Sequence, residues 1–228
     1  MPPIRPLPLL VLAAALLAAC DEPAPRRRAE PPAAAASPAA PVGAATERAG
    51  AVVWDAARGA FVLNGKPLKP ARLWTFDGST DGWTGLGATL GPAAGGGLAV
   101  SNVAFDPILV SPSDLAIDGA RNPLVVIRLT RVKAGGDWSG TLFYVTPKHG
   151  TAEAFHGRPA DLKDVAVNET VTLVYDMSRP AAGGEDWIAS TIDQLRFDTD
   201  DQAGGQFVIH QIAVADNPDP AVPLGGKL

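Results

Sequence analysis

The chain has 228 residues, with 19 Lys and Arg against 24 Asp and Glu and a formal net charge of −5. This mild acidity excludes the basic footprint that nucleic-acid binding requires. The one cysteine excludes an intrachain disulfide framework, so an exported domain of this sequence must be stabilised by core packing.

In chain order, Arg5 and the free amine form a short positive start, followed by the apolar run Leu9-Leu10-Val11-Leu12-Ala13-Ala14-Ala15-Leu16-Leu17. This run is shorter than the roughly 20 residues of a membrane-spanning helix and has the length of a signal-peptide core. It ends in Leu17-Ala18-Ala19-Cys20, which resembles the lipobox of bacterial lipoproteins. There, two small residues precede a cysteine that is diacylated on sulfur, exposed by cleavage and acylated on its new amine. The resemblance implies a signal peptide over residues 1–19, lipidation of Cys20 and a membrane partner reached through acyl chains, at about 0.8 kcal/mol per buried CH₂. The alternative is an ordinary cleaved signal with a stray cysteine. Among charged residues, cleavage removes Arg5 alone, leaving 18 basic against 24 acidic side chains. Asp21 and Glu22 resemble the signal that retains enterobacterial lipoproteins at the inner membrane, so the periplasmic face of that membrane is expected over the outer membrane.

Residues 20–50 comprise the lipidated cysteine and a Pro/Ala-rich segment. Apart from Val42 and Thr46, residues 21–50 lack aromatic and β-branched side chains. Such a segment cannot offset its ordering entropy and is expected to be a disordered tether, spanning roughly 30 Å as a coil or 90 Å as polyproline. Arg26-Arg27-Arg28 either meets anionic head groups, at about 1 kcal/mol per basic residue, or is a solvated linker run.

Residues 51–216 have the size of one domain. Short β-like runs are predicted at 51–54, 60–63, 73–76, 98–102, 108–110, 124–132, 140–146, 170–175, 192–197 and 206–214, separated by Gly, Pro, Asn and Asp. This density of short strands predicts a sandwich or barrel. Asp55-Ala56-Ala57-Arg58-Gly59 reads as a hairpin loop and Asn64-Gly65 as a tight turn. Alternation places Val125, Ile127, Leu129 and Arg131 on one face, and Val126, Arg128, Thr130 and Val132 on the other. It also sets Ile192, Gln194 and Arg196 against Asp193, Leu195 and Phe197. The mixed polarity of the Arg128 and Arg196 faces suggests a sheet that presents a groove. After Asn217-Pro218-Asp219-Pro220, residues 217–228 read as a flexible tail.

The ordered pieces Trp74-Thr75-Phe76-Asp77-Gly78, Asp81-Gly82-Trp83, Gly97-Leu98-Ala99-Val100, Asp106-Pro107-Ile108-Leu109 and Val125-Val126-Ile127-Arg128-Leu129 continue through Gly140-Thr141-Leu142-Phe143-Tyr144 and Thr172-Leu173-Val174-Tyr175-Asp176. Trp187 and Ile192-Asp193-Gln194-Leu195-Arg196-Phe197-Asp198 complete the series. Together they resemble the galactose-binding-like jelly rolls of non-catalytic carbohydrate-binding modules, with the Trp54–Leu63 hairpin outside the match. The resemblance implies an all-β jelly-roll β-sandwich and a binding role. The partner it suggests is an envelope polysaccharide or, since the fold also serves as a scaffold, an envelope protein.

The candidate ligand-binding residues are Arg128, Trp138, Tyr144, Arg196 and His210. Trp138 follows the Gly135-Gly136-Asp137 turn and is expected to be exposed. Tyr144 alternates away from Phe143 towards the groove, and the other three are polar residues within strands. Asp77-Gly78-Ser79-Thr80-Asp81-Gly82 resembles the opening of an EF-hand loop, but the twelfth position is Ala88. Asp77 and Asp81 are therefore either a structural Ca²⁺ site, the sole cofactor considered, or an Asp/Gly turn. Asp198-Thr199-Asp200-Asp201 has the same alternatives. His149, His156 and His210 lack metal-ligand spacing, and no G-x-S-x-G or H-E-x-x-H motif occurs, so no enzyme activity is expected. The loop from Pro147 to Glu169 is long enough to cover a groove.

Overall fold

The computed structural model describes residues 50–161 and 164–225, and every regular element among them is a β-strand. The signal peptide, Cys20 and the tether lie outside the described residues.

Strands β1 (Val52–Asp55), β2 (Ala60–Leu63) and β3 (Lys66–Pro67) form a small antiparallel sheet. Asp55 Oδ1 closes its first turn by accepting the Ala57 and Arg58 N–H groups at 3.0 and 3.1 Å. Asn64 and Gly65 close the second at φ 50° and 75°, the left-handed pair that a type I′ turn demands. There follow β4 (Pro70–Trp74), β5 (Thr84–Leu86), β6 (Ala88–Pro92), β7 (Leu98–Asn102), β8 (Ile108–Val110), β9 (Ile117–Asp118), β10 (Leu124–Lys133) and β11 (Trp138–Val145). The last five are β12 (His156–Gly157), β13 (Thr170–Asp176), β14 (Thr191–Ile192), β15 (Gln194–Asp200) and β16 (Gln206–Ala215).

Two main sheets result. The first runs β13-β10-β16-β7-β6, with β4 beside the C-terminal half of β16; the second runs β12-β11-β15-β8-β5. Strands β7, β16, β10 and β13 on one side, and β8, β15, β11 and β12 on the other, have the nested order of a jelly roll. The expected all-β sandwich is thus the observed fold. Predicted strand 192–197 is divided: β14 pairs with β9, whereas β15 joins the second sheet.

Alternation explains the packing. Val125, Ile127 and Leu129 of β10 face the core between the sheets, with Leu142, Tyr144, Leu195, Phe197 and Ile209. Leu124 and Val126 face outward, yet they are buried under the β1–β3 sheet with Val52, Phe61, Leu63 and Leu68. The hairpin outside the family resemblance is therefore part of the domain's packing.

Within the segment expected as a flexible tail over 217–228, residues as far as Gly225 make contacts with the hairpin. Asp219 accepts a hydrogen bond from Asn64 Nδ2 at 3.2 Å and pairs with Lys66 Nζ at 3.3 Å. Leu224 packs against the hairpin's apolar cluster, and Gly225 N–H donates to Gly50 C=O at 3.3 Å. Composition alone did not register these contacts.

A buried ion pair crosses the sandwich. Arg131 Nη2 of β10 lies 2.8 Å from Asp200 Oδ1 of β15, with side chains 9% and 0% exposed. This approach lacks hydrogen-bond geometry, and neither Oδ1 nor Arg131 Nε has a hydrogen-bond partner among the described residues. Nη1 and Nη2 donate to Val165 C=O and Gly136 C=O, each at 2.9 Å, and Gly135 N–H donates to Asp200 Oδ2. Burial pushes the Asp200 carboxyl above its ordinary range, against the opposing pull of Gly135 N–H and Arg131. Removing one partner leaves the other charge buried, so Arg131→Ala or Asp200→Ala is expected to cost about 3–5 kcal/mol. The double replacement Arg131→Met with Asp200→Leu should cost far less than the two single losses combined. Urea unfolding of the four proteins measures this directly.

Candidate functional site

The second sheet has one face on the core. Cross-strand register arranges its other face in two rows. One row is Thr84, Val110, Arg196, Phe143 and His156; its neighbour is Leu86, Ile108, Asp198 and Thr141. Arg196 occupies the middle. Its Nε and Nη2 donate to the two oxygens of Asp198 at 2.7 and 2.8 Å, and its guanidinium carbon lies 4.9 Å from the Phe143 ring centroid. His156 abuts the far side of Phe143, with ring centroids 5.5 Å apart. Asp106 Oδ1 lies 3.7 Å from Arg196 Nη2. Burial raises the Asp198 carboxyl above its ordinary range, while Arg196 opposes that shift.

The β5 end of this face is apolar and open. Leu86, Val103 and Phe105 are 69%, 60% and 72% exposed. The chain segments that carry them are joined where Val103 and Ala104 N–H both donate to Gly87 C=O, at 2.8 and 3.1 Å. Gly87 has φ 67°, and a Cβ there would lie 3.3 Å from Pro107 Cα, so the approach of the two loops requires glycine.

Of the five expected ligand residues, Arg196 alone is on this face. Arg128 and His210 are on the outer face of the first sheet, across the sandwich. Arg128 Nη1 donates to Gln211 Oε1 at 3.3 Å. His210 sits where the β10–β16 register slips, with Nε2 2.8 Å from Thr130 Oγ1; burial, then the charge of Arg128, lowers its pKa. Tyr144 does not line a groove: it is fully buried in the core, and Phe143 takes the outer face. Trp138 is only half-buried, but it is not a free platform. Its ring packs on Phe197 and Phe207, at centroid distances of 6.2 and 5.9 Å, and over the Arg131 guanidinium at 5.9 Å. Phe105, Phe143, His156 and Asp198 were missed as site residues; the strand alternation that carries Arg196 also carries Asp198.

Asp77 and Asp81 are engaged in their own turn. Thr75 Oγ1 donates to Asp77 Oδ2 at 2.7 Å, and Phe76 N–H to Asp81 Oδ2 at 2.9 Å, while the Ser79 hydroxyl reaches Asp81 Oδ1. Among the described residues, no three His, Cys, Asp or Glu side chains gather as a metal site. The long loop after β11 adds β12 to the edge of the second sheet. Its His149 stacks on Phe155 at 3.6 Å and meets Asp186 through Nε2 at 2.9 Å.

No protein-family model and no curated protein matches the chain. Solved structures do. The xylan-binding CBM22-1 domain of Paenibacillus barcinonensis Xyn10C matches at 13% identity and TM-score 0.46, covering 70% of this chain and 97% of its own. The family 29 module CBM29_1 of Piromyces equi matches at 6% and 0.43, covering 63% and 91%. A family 6 carbohydrate-binding module of Clostridium cellulolyticum, solved with xylose, matches at 11% and 0.39, covering 65% and 100%. With all three TM-scores below 0.5, function has to be read from the side chains themselves.

The buried Tyr144 Oη meets no partner in hydrogen-bond geometry among the described residues, although Asp186 is near enough that burial, then the charge and acceptor oxygen of Asp186, push its phenol far above the ordinary range. Tyr144→Phe is therefore expected to leave stability within about 1 kcal/mol of the parent or to raise it. Urea unfolding is the check; a loss of several kcal/mol would mean that the hydroxyl is bonded in solution.

Proposed function

We propose that the protein is a lipid-anchored, non-catalytic carbohydrate-binding module of the cell envelope, and that the outer face of the β12-β11-β15-β8-β5 sheet receives the glycan. The observation that carries this reading is the pattern of that face: an Arg196–Asp198 pair, with Arg196 in one register row with exposed Thr84, beside the open apolar group of Leu86 and Phe105. Sugars present hydroxyl edges and apolar C–H faces, and this surface offers a counterpart to each. Arg196 Nη1 has no partner among the described residues and is available to a ligand oxygen.

A glycan array followed by calorimetric titration tests the proposal. Arg196→Ala and Phe105→Ala should each weaken glycan binding about tenfold or more, the loss of a charge-assisted hydrogen bond or an apolar contact. Arg128→Ala, on the opposite face, should leave it unchanged. Absence of binding to any envelope polysaccharide would overturn the reading. One observation favours the second reading, an interaction domain for an envelope protein: Phe105 is the one aromatic side chain among the exposed large hydrophobics of the described residues.

The anchor rests on the Leu17–Cys20 resemblance. Cys20→Ser removes the thiol that accepts diacylglycerol, so the precursor should remain larger than the mature form or be cut elsewhere and released. The domain should fold unchanged. Membrane fractionation with and without detergent decides the point. A Cys20→Ser protein of mature size that still partitions into detergent would show that Cys20 is not the anchor.

A further inference from the structure

We infer that His156 is a specificity-determining residue of the second sheet's outer face, where its Nε2 accepts a ligand hydroxyl; this rests on the reading of that face as a glycan site. Register places Arg196 opposite Phe143, and Phe143 opposite His156. The three side chains therefore stand abreast on β15, β11 and β12. The Arg196 guanidinium carbon lies 4.9 Å from the Phe143 ring centroid, and the His156 ring centroid lies 5.5 Å from it. Phe143 is buried between them, so it serves as a floor, and the two polar heads beside it are what a ligand meets.

The tautomer of His156 follows from its neighbour. Nδ1 lies 2.9 Å from Glu153 C=O. A carbonyl oxygen only accepts, so Nδ1 carries the proton, and in the neutral ring Nε2 is a bare acceptor. Nε2 has no hydrogen-bond partner among the described residues, and it is not one of their buried unpaired atoms. The backbone holds the ring in place. β12 pairs with β11 on one side; on the other, His156 N–H donates to Ala182 C=O at 3.3 Å, and Ala182 N–H donates to His156 C=O at 3.0 Å. A group fixed in this way loses little freedom on binding.

Arg196 Nη1 can only donate and His156 Nε2 can only accept, so the row has two poles of opposite hydrogen-bonding sense. Neighbouring strands lie about 4.8 Å apart, which sets the two residues about 10 Å apart across β11. One pyranose ring cannot touch both. A ligand that satisfies the row is a chain of at least two sugar units, with an acceptor oxygen over Arg196 and a free hydroxyl over His156.

The test uses the mature protein in a sugar-free detergent. It is titrated calorimetrically with neutral β-1,4-linked gluco-, manno- and xylo-oligosaccharides, from the monosaccharide to the hexasaccharide. A chain of two or more units should bind. His156→Phe keeps a ring on Phe143 but has no acceptor, and it should weaken that binding about tenfold at an unchanged melting temperature. His156→Gln, whose Oε1 accepts, should restore most of the loss. Arg196→Ala and His156→Phe act on different sugar units, so their losses should multiply in the double variant. Nitrogen-15 spectra of the free protein should show His156 Nδ1 protonated and Nε2 bare, with the Nε2 resonance moving when the sugar binds. A proton on Nε2 would overturn the inference, as would unchanged binding by His156→Phe while Arg196→Ala still weakens it; both results leave the glycan reading standing. Absence of binding by every sugar would overturn the inference together with that reading. Should His156→Phe fail to fold, the spectra decide.

Discussion

The Arg131–Asp200 pair ties the two sheets and two loops of the sandwich together. It joins the central strand β10 of one sheet to β15 of the other. Through Val165 C=O it holds the segment that leads into β13, and through Gly136 C=O and Gly135 N–H it holds the turn into β11. Trp138 lies over the same guanidinium. Two charges removed from water repay their desolvation only where the surrounding dipoles are fixed. Here those dipoles belong to the loops at Gly135, Gly136 and Val165. In a domain with no cysteine among its described residues, a buried pair of this kind is a device that can favour one alignment of the sheets.

The two outer faces of the sandwich meet different fates because of the hairpin. β10 begins Leu124-Val125-Val126-Ile127, apolar at every position, since both of its faces are covered there. From Arg128 onward one position in two turns polar, and this marks where the β1–β3 sheet stops. The polar residues beyond it, Arg128, Thr130, Thr170, His210 and Gln211, bond mainly to one another. Such a mutually satisfied network has little left to offer a ligand. On the second sheet no hairpin intervenes, and although Thr141, Phe143 and Asp198 are buried there, Leu86 and Phe105 stay exposed.

The sequence was most legible where polarity alternates. Val125, Ile127, Leu129 and Arg131 were placed on one face, and so they lie; Leu195 and Phe197 were opposed to Arg196, and they line the core. Leu142-Phe143-Tyr144 carries no alternation, so its parity could not be read, and Tyr144 was given the groove that Phe143 borders. The parity of Trp138 was hidden as well. The register slips between Trp138 and Thr141, with Gly140 at φ 61°, and the extra residue swings Trp138 onto the core side. Strands β5 and β6 were invisible because Thr84-Gly85-Leu86 and Gly91-Pro92 look like turn sequence; long-range pairing with β8 and β7 makes them strands. The contacts of the segment from Asn217 were hidden for the same reason. A Pro-rich composition describes a chain that lacks a local reason to fold, and Asp219 finds its reasons in Asn64 and Lys66, some 150 residues away.

Arg196 shows why the uncovered face can be a binding surface while carrying a charged residue at its centre. Its two donors to Asp198 and its stacking on Phe143 fix the guanidinium before any ligand arrives, so the roughly 2 kcal/mol of rotamer entropy in a free arginine is already lost and is not charged against binding. The same pairing cancels its formal charge, and Asp106 at 3.7 Å adds a further negative one. A polyanion approaching this face would meet two carboxylates around a neutralised arginine. A hydroxylated, uncharged ligand would instead meet an oriented N–H donor at Nη1, the remaining lone pairs of carboxylate oxygens and an apolar floor. Within the carbohydrate reading, the electrostatics of the face therefore favour a neutral glycan.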